Sequence, residues 1–468
     1  MVSVKIFCDK VKGEWSGWRH CIGHGGINSF PLPPKVQRAL AACKPRLVRT
    51  FIQEYFNVYP EHGVYNWELL DPYMDSLAAS GGKVAACICI KPKPLYPVVD
   101  QNIVMPNDIG EWQQVVEELV KRYSVKKEIV SYWEIGNETD IGENGGCPYF
   151  TASPEDYNEY YKITQEAVLR AFPQAKVGGP AVADANSPLV EGLLKYCSEQ
   201  KIQLDFVSWH RYSKDPDEHS GNAPVIRKLA LKYYPEKHIE TLITEMGKGG
   251  WDEPYVVAES PYHGSFAASI GASIYAMMDT DVDWTFYYHI WDQVFISDQF
   301  RPFYKDLDIM LQHWNKTPHR MGLFGVCGEV RPAYFVYRML ESMAGKELET
   351  ESEFANLRVK ASMNETCVSV MLINYGMEKQ ADIAADIDFS GIKNGLKLLT
   401  MYKLDGNKNW DEDSLELKAT ERRYIDIDGK ASKRPFFCQI LCPANSVVIL
   451  KIEDAALDKM AAEFCNIK

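Results

Sequence analysis

Ser131-Tyr-Trp-Glu-Ile-Gly-Asn-Glu138 and Glu240-Thr-Leu-Ile-Thr-Glu245 decide the fold. Each is an apolar or β-branched run that reads as a strand and ends in a glutamate. A turn follows each one at once: Thr139-Asp140-Ile141-Gly142 after the first, Met246-Gly247-Lys248-Gly249-Gly250 after the second. A strand that delivers a carboxylate at its C-terminal end is how a parallel barrel builds a site.

Outward from these segments, residues 18 to 345 alternate short apolar runs with longer stretches of helical periodicity. Eight runs read as strands: His20–Asn28, Leu47–Gln53, Val84–Ile90, Ile129–Glu138, Lys176–Ala183, Asp205–Tyr212, Thr241–Glu245 and Trp284–Trp291. Between them, Val36–Cys43, Leu69–Ser80, Trp112–Tyr123, Pro154–Phe172, Ser187–Gln200, Ala223–Tyr234 and Pro261–Thr280 place apolar residues at helical spacing, and Pro332–Ala344 supplies an eighth helix. Ser153 before Pro154 reads as an N-cap with proline at the first helical position. Eight strands, each followed by a helix, predict a closed (β/α)8 TIM barrel over residues 16–345.

The pattern changes after Gly345. Val359–Met363, Cys367–Tyr375, Leu398–Leu404, Tyr424–Ile427 and Val447–Ile452 are short strands, with turns such as Asp405-Gly406-Asn407 and Asp428-Gly429. This predicts an accessory antiparallel β-sandwich over 346–468, to which residues 1–15 add an edge strand.

Composition narrows the function classes. The 468 residues are 46% hydrophobic and 25% charged, as in a globular protein. A net charge of −13 argues against nucleic acid or an anionic membrane as partner, since both attract basic surfaces. No run of about 18 apolar residues predicts a membrane span. The N-terminus, Met1-Val-Ser-Val-Lys-Ile-Phe-Cys-Asp-Lys10, lacks a signal-peptide core, so a cytoplasmic location is expected. The 12 cysteines are scattered, several within apolar runs, and read as buried free thiols. Neither Cys87-x-Cys89 nor Cys438-x3-Cys442 has zinc-site spacing. Carbohydrate suits the supply of 11 Trp and 26 Tyr, because sugar rings stack on aromatic faces, although most such residues belong to cores.

Taken singly, Glu138 or Glu245 could be a solvated loop glutamate. Taken together, they end the fourth and seventh strands, which face one another across a barrel mouth. Carboxylates about 5–5.5 Å apart are what a retaining glycosidase needs, one to protonate the leaving oxygen and one to attack the anomeric carbon. Asn137 supplies an amide beside the first. His210 and Tyr212 alternate on strand six and so share a face, where the tyrosine can donate to a carboxylate. Arg49, inside an apolar strand, needs a carboxylate partner, for which Glu245 and Glu138 are the candidates. His24 and Asn28 end strand one. Gly23-His-Gly-Gly26 lacks the spacing of a dinucleotide loop. Trp291 and Asp292 end strand eight, where a tryptophan could floor a sugar ring. His263, His289, Asp279, Asp281 and Asp283 show no metal-ligand spacing and read as loop charges or packed side chains, so neither metal nor cofactor is expected.

Glutamates ending strands four and seven, the first preceded by asparagine, resemble clan A glycoside hydrolases, and most nearly family 39, the β-xylosidase and α-L-iduronidase family. Gly63-Val-Tyr-Asn-Trp67, Lys176-Val-Gly-Gly-Pro-Ala181, Asp205-Phe-Val-Ser-Trp-His-Arg-Tyr212, Leu242-Ile-Thr-Glu245, Gly322-Leu-Phe-Gly325 and Arg331-Pro-Ala-Tyr-Phe-Val-Tyr-Arg338 carry the likeness, and Pro443-Ala-Asn-Ser-Val-Val-Ile-Leu450 is similar to the last strand of such enzymes' sandwich. The resemblance implies that Glu138 is the general acid/base and Glu245 the nucleophile of an exo-acting, β-xylosidase-like enzyme. Where that family has Trp-Asn-Glu-Pro, this chain has Ile135-Gly-Asn-Glu-Thr139, a form nearer the arabinofuranosidases of family 51. Arabinose, galactose-type or uronic sugars therefore stand beside xylose as glycones. The rival from another class is a carbohydrate-binding barrel without turnover, which the presence of both glutamates disfavours.

Overall fold

The computed structural model describes residues 2–249, 261–315, 320–428, 436–456 and 460. Strand β1 (Val2–Glu14) precedes the barrel. The barrel strands are β2 (His20–His24), β3 (Leu47–Gln53), β4 (Lys83–Cys89), β5 (Val130–Ile135), β6 (Lys176–Val182), β7 (Phe206–Tyr212), β8 (Glu240–Gly247) and β9 (Trp284–Tyr288). All neighbouring pairs are parallel, and β9 pairs back onto β2 through His20–Thr285 to Gly23–Tyr288, which closes the ring.

One helix follows each of the first seven barrel strands: α1 (Pro34–Ala42), α2 (Leu70–Ala78), α3 (Ile109–Val120), α4 (Pro154–Ala171), α5 (Pro188–Gln200), α6 (Ala223–Tyr233) and α7 (Gly264–Met278). After β9 the chain makes a long excursion containing the short helices α8 (Ser297–Phe300) and α9 (Asp308–His313), then closes the layer with α10 (Pro332–Ser342). Ser153 starts α4 by accepting a hydrogen bond from the Asp156 amide, with Pro154 at the first helical position. Helix α7 is apolar on nearly every side because both its faces are covered: Gly271 lies against Ile373 and Val447 of the C-terminal sheet, while its other residues join the barrel core.

The C-terminal strands are β10 (Lys346–Ser352), β11 (Leu357–Met363), β12 (Cys367–Asn374), β13 (Ile383–Ser390), β14 (Gly395–Leu404), β15 (Glu421–Ile427), β16 (Phe436–Cys442) and β17 (Ser446–Asp454). With β1 they form one nine-stranded sheet in the order β15-β14-β17-β12-β11-β10-β1-β13-β16. Alternate residues of opposite parts of this sheet, such as Val4, Ile387, Leu372 and Leu450, share a second core. Strand β1 is not at the edge that the sequence suggests. It runs antiparallel to β10 and parallel to β13, the one parallel pair in an otherwise antiparallel sheet. Asp428 is described but Gly429, the second residue of the expected Asp428-Gly429 turn, lies outside the described residues, as does Gly250 of the turn after Glu245. Among the described residues, no helix is long and apolar enough to cross a membrane.

Candidate active site

The C-terminal ends of the barrel strands gather a connected set of polar side chains. Strand β5 stops at Ile135, three residues short of Glu138, because Gly136 turns the backbone with φ of +81°. Glu138 itself has φ of +47°, uncommon for a residue with a Cβ, and its amide donates to the Ala181 carbonyl at 2.8 Å. A glutamate held this way stands on a fixed turn rather than a mobile loop. Strand β8 runs two residues past Glu245, and its pairing with β7 and β9 shifts register around Thr244 and Glu245. Such a bulge re-aims a side chain. The Glu245 side chain meets those of Arg49 and Tyr212, from β3 and β7.

Arg49 is fully buried and uses its whole fork. Its Nε donates to Glu134 at 2.7 Å, one terminal nitrogen to Glu245 at 2.6 Å, and the other to the Asn137 side-chain oxygen at 2.7 Å. Burial alone would disfavour its charge, but Glu134 and Glu245 hold it protonated. The Tyr212 hydroxyl donates to the other Glu245 oxygen at 2.7 Å. Burial, with Glu245 alongside, carries that phenol well above its ordinary 10. His210 Nδ1 lies 2.8 Å from Glu138 and 3.7 Å from Glu245. Burial lowers its pKa even though Glu245 pulls the other way, so the ring is neutral near pH 7 and one proton lies between it and Glu138.

The two glutamates differ in their surroundings. Glu245 accepts from a guanidinium and a phenol. Among the described residues Glu138 pairs with no cation: burial first, then the negative charge of Asp140, raises its carboxyl to about 8, with Arg49 opposing. An oxygen of Glu138, one of Glu245 and a nitrogen of His210 lie within 4.8 Å of one another. A cation could use such a trio, but Arg49 already places a positive charge on Glu245.

The structure thus brings Glu138, Glu245, Arg49, Asn137, His210 and Tyr212 into one network. His24 is completely buried beside it, its ring stacked near those of Tyr73, His289 and Trp291 at 5.9–6.4 Å. Both His24 ring nitrogens lack a hydrogen-bond partner among the described residues. Trp291 lies beyond the end of β9, bridged to Phe324, with its indole donating to the Val326 carbonyl.

Two expected sugar contacts are otherwise employed. Asn28 donates to the Val294 carbonyl and accepts from the Phe30 amide, both at 3.0 Å, so its amide staples the loops after β2 and β9 together. Asp292 is buried, accepting from Arg331 and from the Gly322 amide, with His289 Nε2 at 3.1 Å. Its oxygens are committed to fixing the turn under His289. Arg49, for its part, bonds Glu245 and Glu134 but not Glu138. Glu134 was not among the expected site residues. An unpaired acid within Val130-Ser-Tyr-Trp-Glu-Ile135 is the signal that matches a buried arginine two strands away.

The sequence profile of glycosyl hydrolases family 39 matches residues 4–409. A β-xylosidase of Geobacillus stearothermophilus is 24% identical over 248 residues, 48% of this chain and 46% of that protein. A β-xylosidase of Caldicellulosiruptor saccharolyticus is 24% identical over 322 residues, 63% of this chain and 58% of that protein. The aligned regions span about half the length of these curated relatives. The crystal structure of a monomeric β-xylosidase from Caulobacter crescentus superposes with a TM-score of 0.74 at 17% identity, covering 97% of this chain and all of that one. With a closed barrel, a C-terminal sheet and a profile match across most of its length, the chain belongs to glycosyl hydrolases family 39.

Proposed function

We propose that this protein is a retaining, exo-acting glycoside hydrolase with a β-xyloside as first substrate. The observation that carries this reading is the close approach of two carboxylates in opposite surroundings. Their oxygens come within 4.8 Å, close to the carboxyl separation of about 5–5.5 Å of retaining pairs and short of the roughly 6.5–9.5 Å of inverting pairs. Glu138, kept protonated to about pH 8, donates its proton to the glycosidic oxygen. Glu245, aimed by Arg49 and Tyr212, attacks the anomeric carbon as the leaving group departs. Glu138, now a carboxylate, then takes a proton from water, whose oxygen displaces Glu245 with a second inversion. His210 shares a proton with Glu138, and we assign His24 and Trp291 to contact with the sugar. The Asn137 oxygen accepts from Arg49, and its NH2 remains to meet a hydroxyl.

Exo action rests on the long excursion after β9. Its backbone amides at Lys305 and Asp306 donate to Glu143, and the Tyr304 hydroxyl donates to the Gly146 carbonyl, at 2.7–2.9 Å. This arm docks on the loop that follows Glu138 and walls one side of the mouth. A walled mouth admits a chain end more readily than a chain interior.

A panel of nitrophenyl glycosides tests the substrate, with the β-xyloside expected to turn over fastest. Preference for an arabinoside, galactoside or uronide would keep the mechanism and change the sugar. No hydrolysis of any member would favour the binding-barrel alternative. For the mechanism, Glu245→Ala with added azide should yield a glycosyl azide of inverted configuration, since a small anion fits where the carboxylate was. Near-normal turnover by folded Glu245→Ala protein would remove Glu245 from the reaction.

A further inference from the structure

Glu138 is held from two sides, and only one of them belongs to the strand ends of the barrel. One oxygen faces His210 of β7 at 2.8 Å. The other lies over Gly145: a Cβ on that glycine would stand 2.1 Å from Glu138 Oε2, and 2.9 Å from the Ile141 methyl. No side chain fits there. The next residue, Gly146, faces the opposite way. A Cβ on Gly146 would stand 2.7 Å from two ring carbons of Trp314, in the arm after β9. Gly146 has φ of +71°, a conformation that favours glycine in its own right. So the glutamate rests on one glycine and the arm rests on its neighbour.

The arm is fixed at this point by more than one contact. Trp314 packs edge-on against Phe295 and Phe300 at 5.4 and 6.1 Å. The Gly146 carbonyl accepts from both Tyr304 and Gln53, at 2.7 and 3.2 Å. Glu143, buried in the same turn, accepts the two arm amides. The turn that backs Glu138 is therefore clamped between the barrel and the arm. With the arm loosened, residues 142–147 lose that support, and the contact that stops the Glu138 carboxyl from swinging goes with them.

We propose that the arm after β9 is a positioning element for the proton donor, acting through Trp314, Gly146 and Gly145 on Glu138. None of these three residues gives or takes a proton. They set where the proton is delivered. The inference rests on the reading of Glu138 as acid/base. Proton transfer contributes roughly 10²–10⁴-fold, and a misplacement of about 1 Å can cost on the order of 100-fold.

The test is kcat/KM, which reports formation of the glycosyl-enzyme, for 2,4-dinitrophenyl and methyl glycosides of the sugar selected by the panel, β-D-xylose first. Trp314→Ala should lose about 10- to 100-fold on the methyl glycoside, which needs a proton, and stay within about threefold on the dinitrophenyl glycoside, which does not. Azide, which attacks without base assistance, should raise dinitrophenyl turnover in the variant but not in the parent. Trp314→Phe should recover most of the loss, and Tyr304→Phe should show a weaker form of it while leaving the indole in place. A folded Trp314→Ala that loses both substrates equally, or neither, overturns the inference if Glu138→Ala discriminates between them. A Glu138→Ala that does not discriminate overturns the acid/base reading instead.

Discussion

Replacing Glu138 by glutamine isolates the cost of keeping an ionisable group at the barrel mouth. Its side chain is 14% exposed. Burial, joined by Asp140 and opposed by Arg49, moves its carboxyl from an ordinary 4.5 to about 8, with neutral His210 and the Glu245 carboxylate as the other neighbours. The unfolded chain releases this proton near 4.5 and the folded chain only near 8. Between those values the folded state binds the extra proton, so its stability falls as pH rises. Below the window both states are protonated and the stability is fully present. Above it the loss is complete and reaches about 5 kcal/mol as an upper figure. Glutamine has the same shape and no proton to release. Urea unfolding at a series of pH values reads the difference, provided the slope m is common to both proteins. Glu138→Gln should match the parent near pH 4.5 and exceed its midpoint increasingly up to pH 8. The parent's kcat/KM on a methyl glycoside should fall across the upper end of the same window. Parallel stability curves for parent and variant would refute the account of Glu138 as a buried, neutral acid.

Arg49→Met should cost about 3–5 kcal/mol in urea unfolding, because it strands Glu134 and Glu245 without their cation; adding Glu134→Gln should return part of that, and strict additivity would break the proposed link. Tyr212→Phe removes the 2.7 Å bond to Glu245 and should lower kcat about 10- to 100-fold, from the roughly 1.5–3 kcal/mol of a hydrogen bond to a charged group. A loss under twofold would show that Arg49 alone aims Glu245. Asp292→Ala should lower the urea midpoint by stranding buried Arg331, with little change in KM; a large rise in KM at unchanged stability would mean that Asp292 reaches the sugar after all.

The barrel was legible because its strands are apolar runs separated by helical periodicity, and because Glu138 and Glu245 each follow such a run. The end of β5 was less so. A strand reading through Glu138 overlooks Gly136, whose positive φ ends the pairing and turns the acid into the mouth. Strand β13 also escaped the sequence reading, although Ile383, Ala385, Ile387 and Phe389 alternate with half-exposed residues, two of them aspartates, in the pattern of a half-buried strand. Asn28 and Asp292 were placed at the site from their position near strand ends. Position says where a side chain starts and not what it bonds, and both found backbone partners closer at hand. Glu134 was hidden for the opposite reason: an acid inside an apolar strand is explained only when the arginine on the strand two places away is paired with it in space. The role of the arm was beyond reach, since nothing in the sequence around Trp314 says that it will meet Gly146.

The place of β1 at the heart of the C-terminal sheet has a consequence for how the chain is made. Val4 pairs with Ser352 on one side and Ile387 on the other, so β1 is left without either neighbour until about 350 further residues have been synthesised. At about 5–20 residues per second that wait lasts on the order of tens of seconds, long enough for the intervening barrel to condense first. Meanwhile an extended apolar segment is available to any stray strand nearby. Lys5, Lys10 and Lys12, spaced along β1, are the kind of charges that discourage such pairing until the right partners arrive.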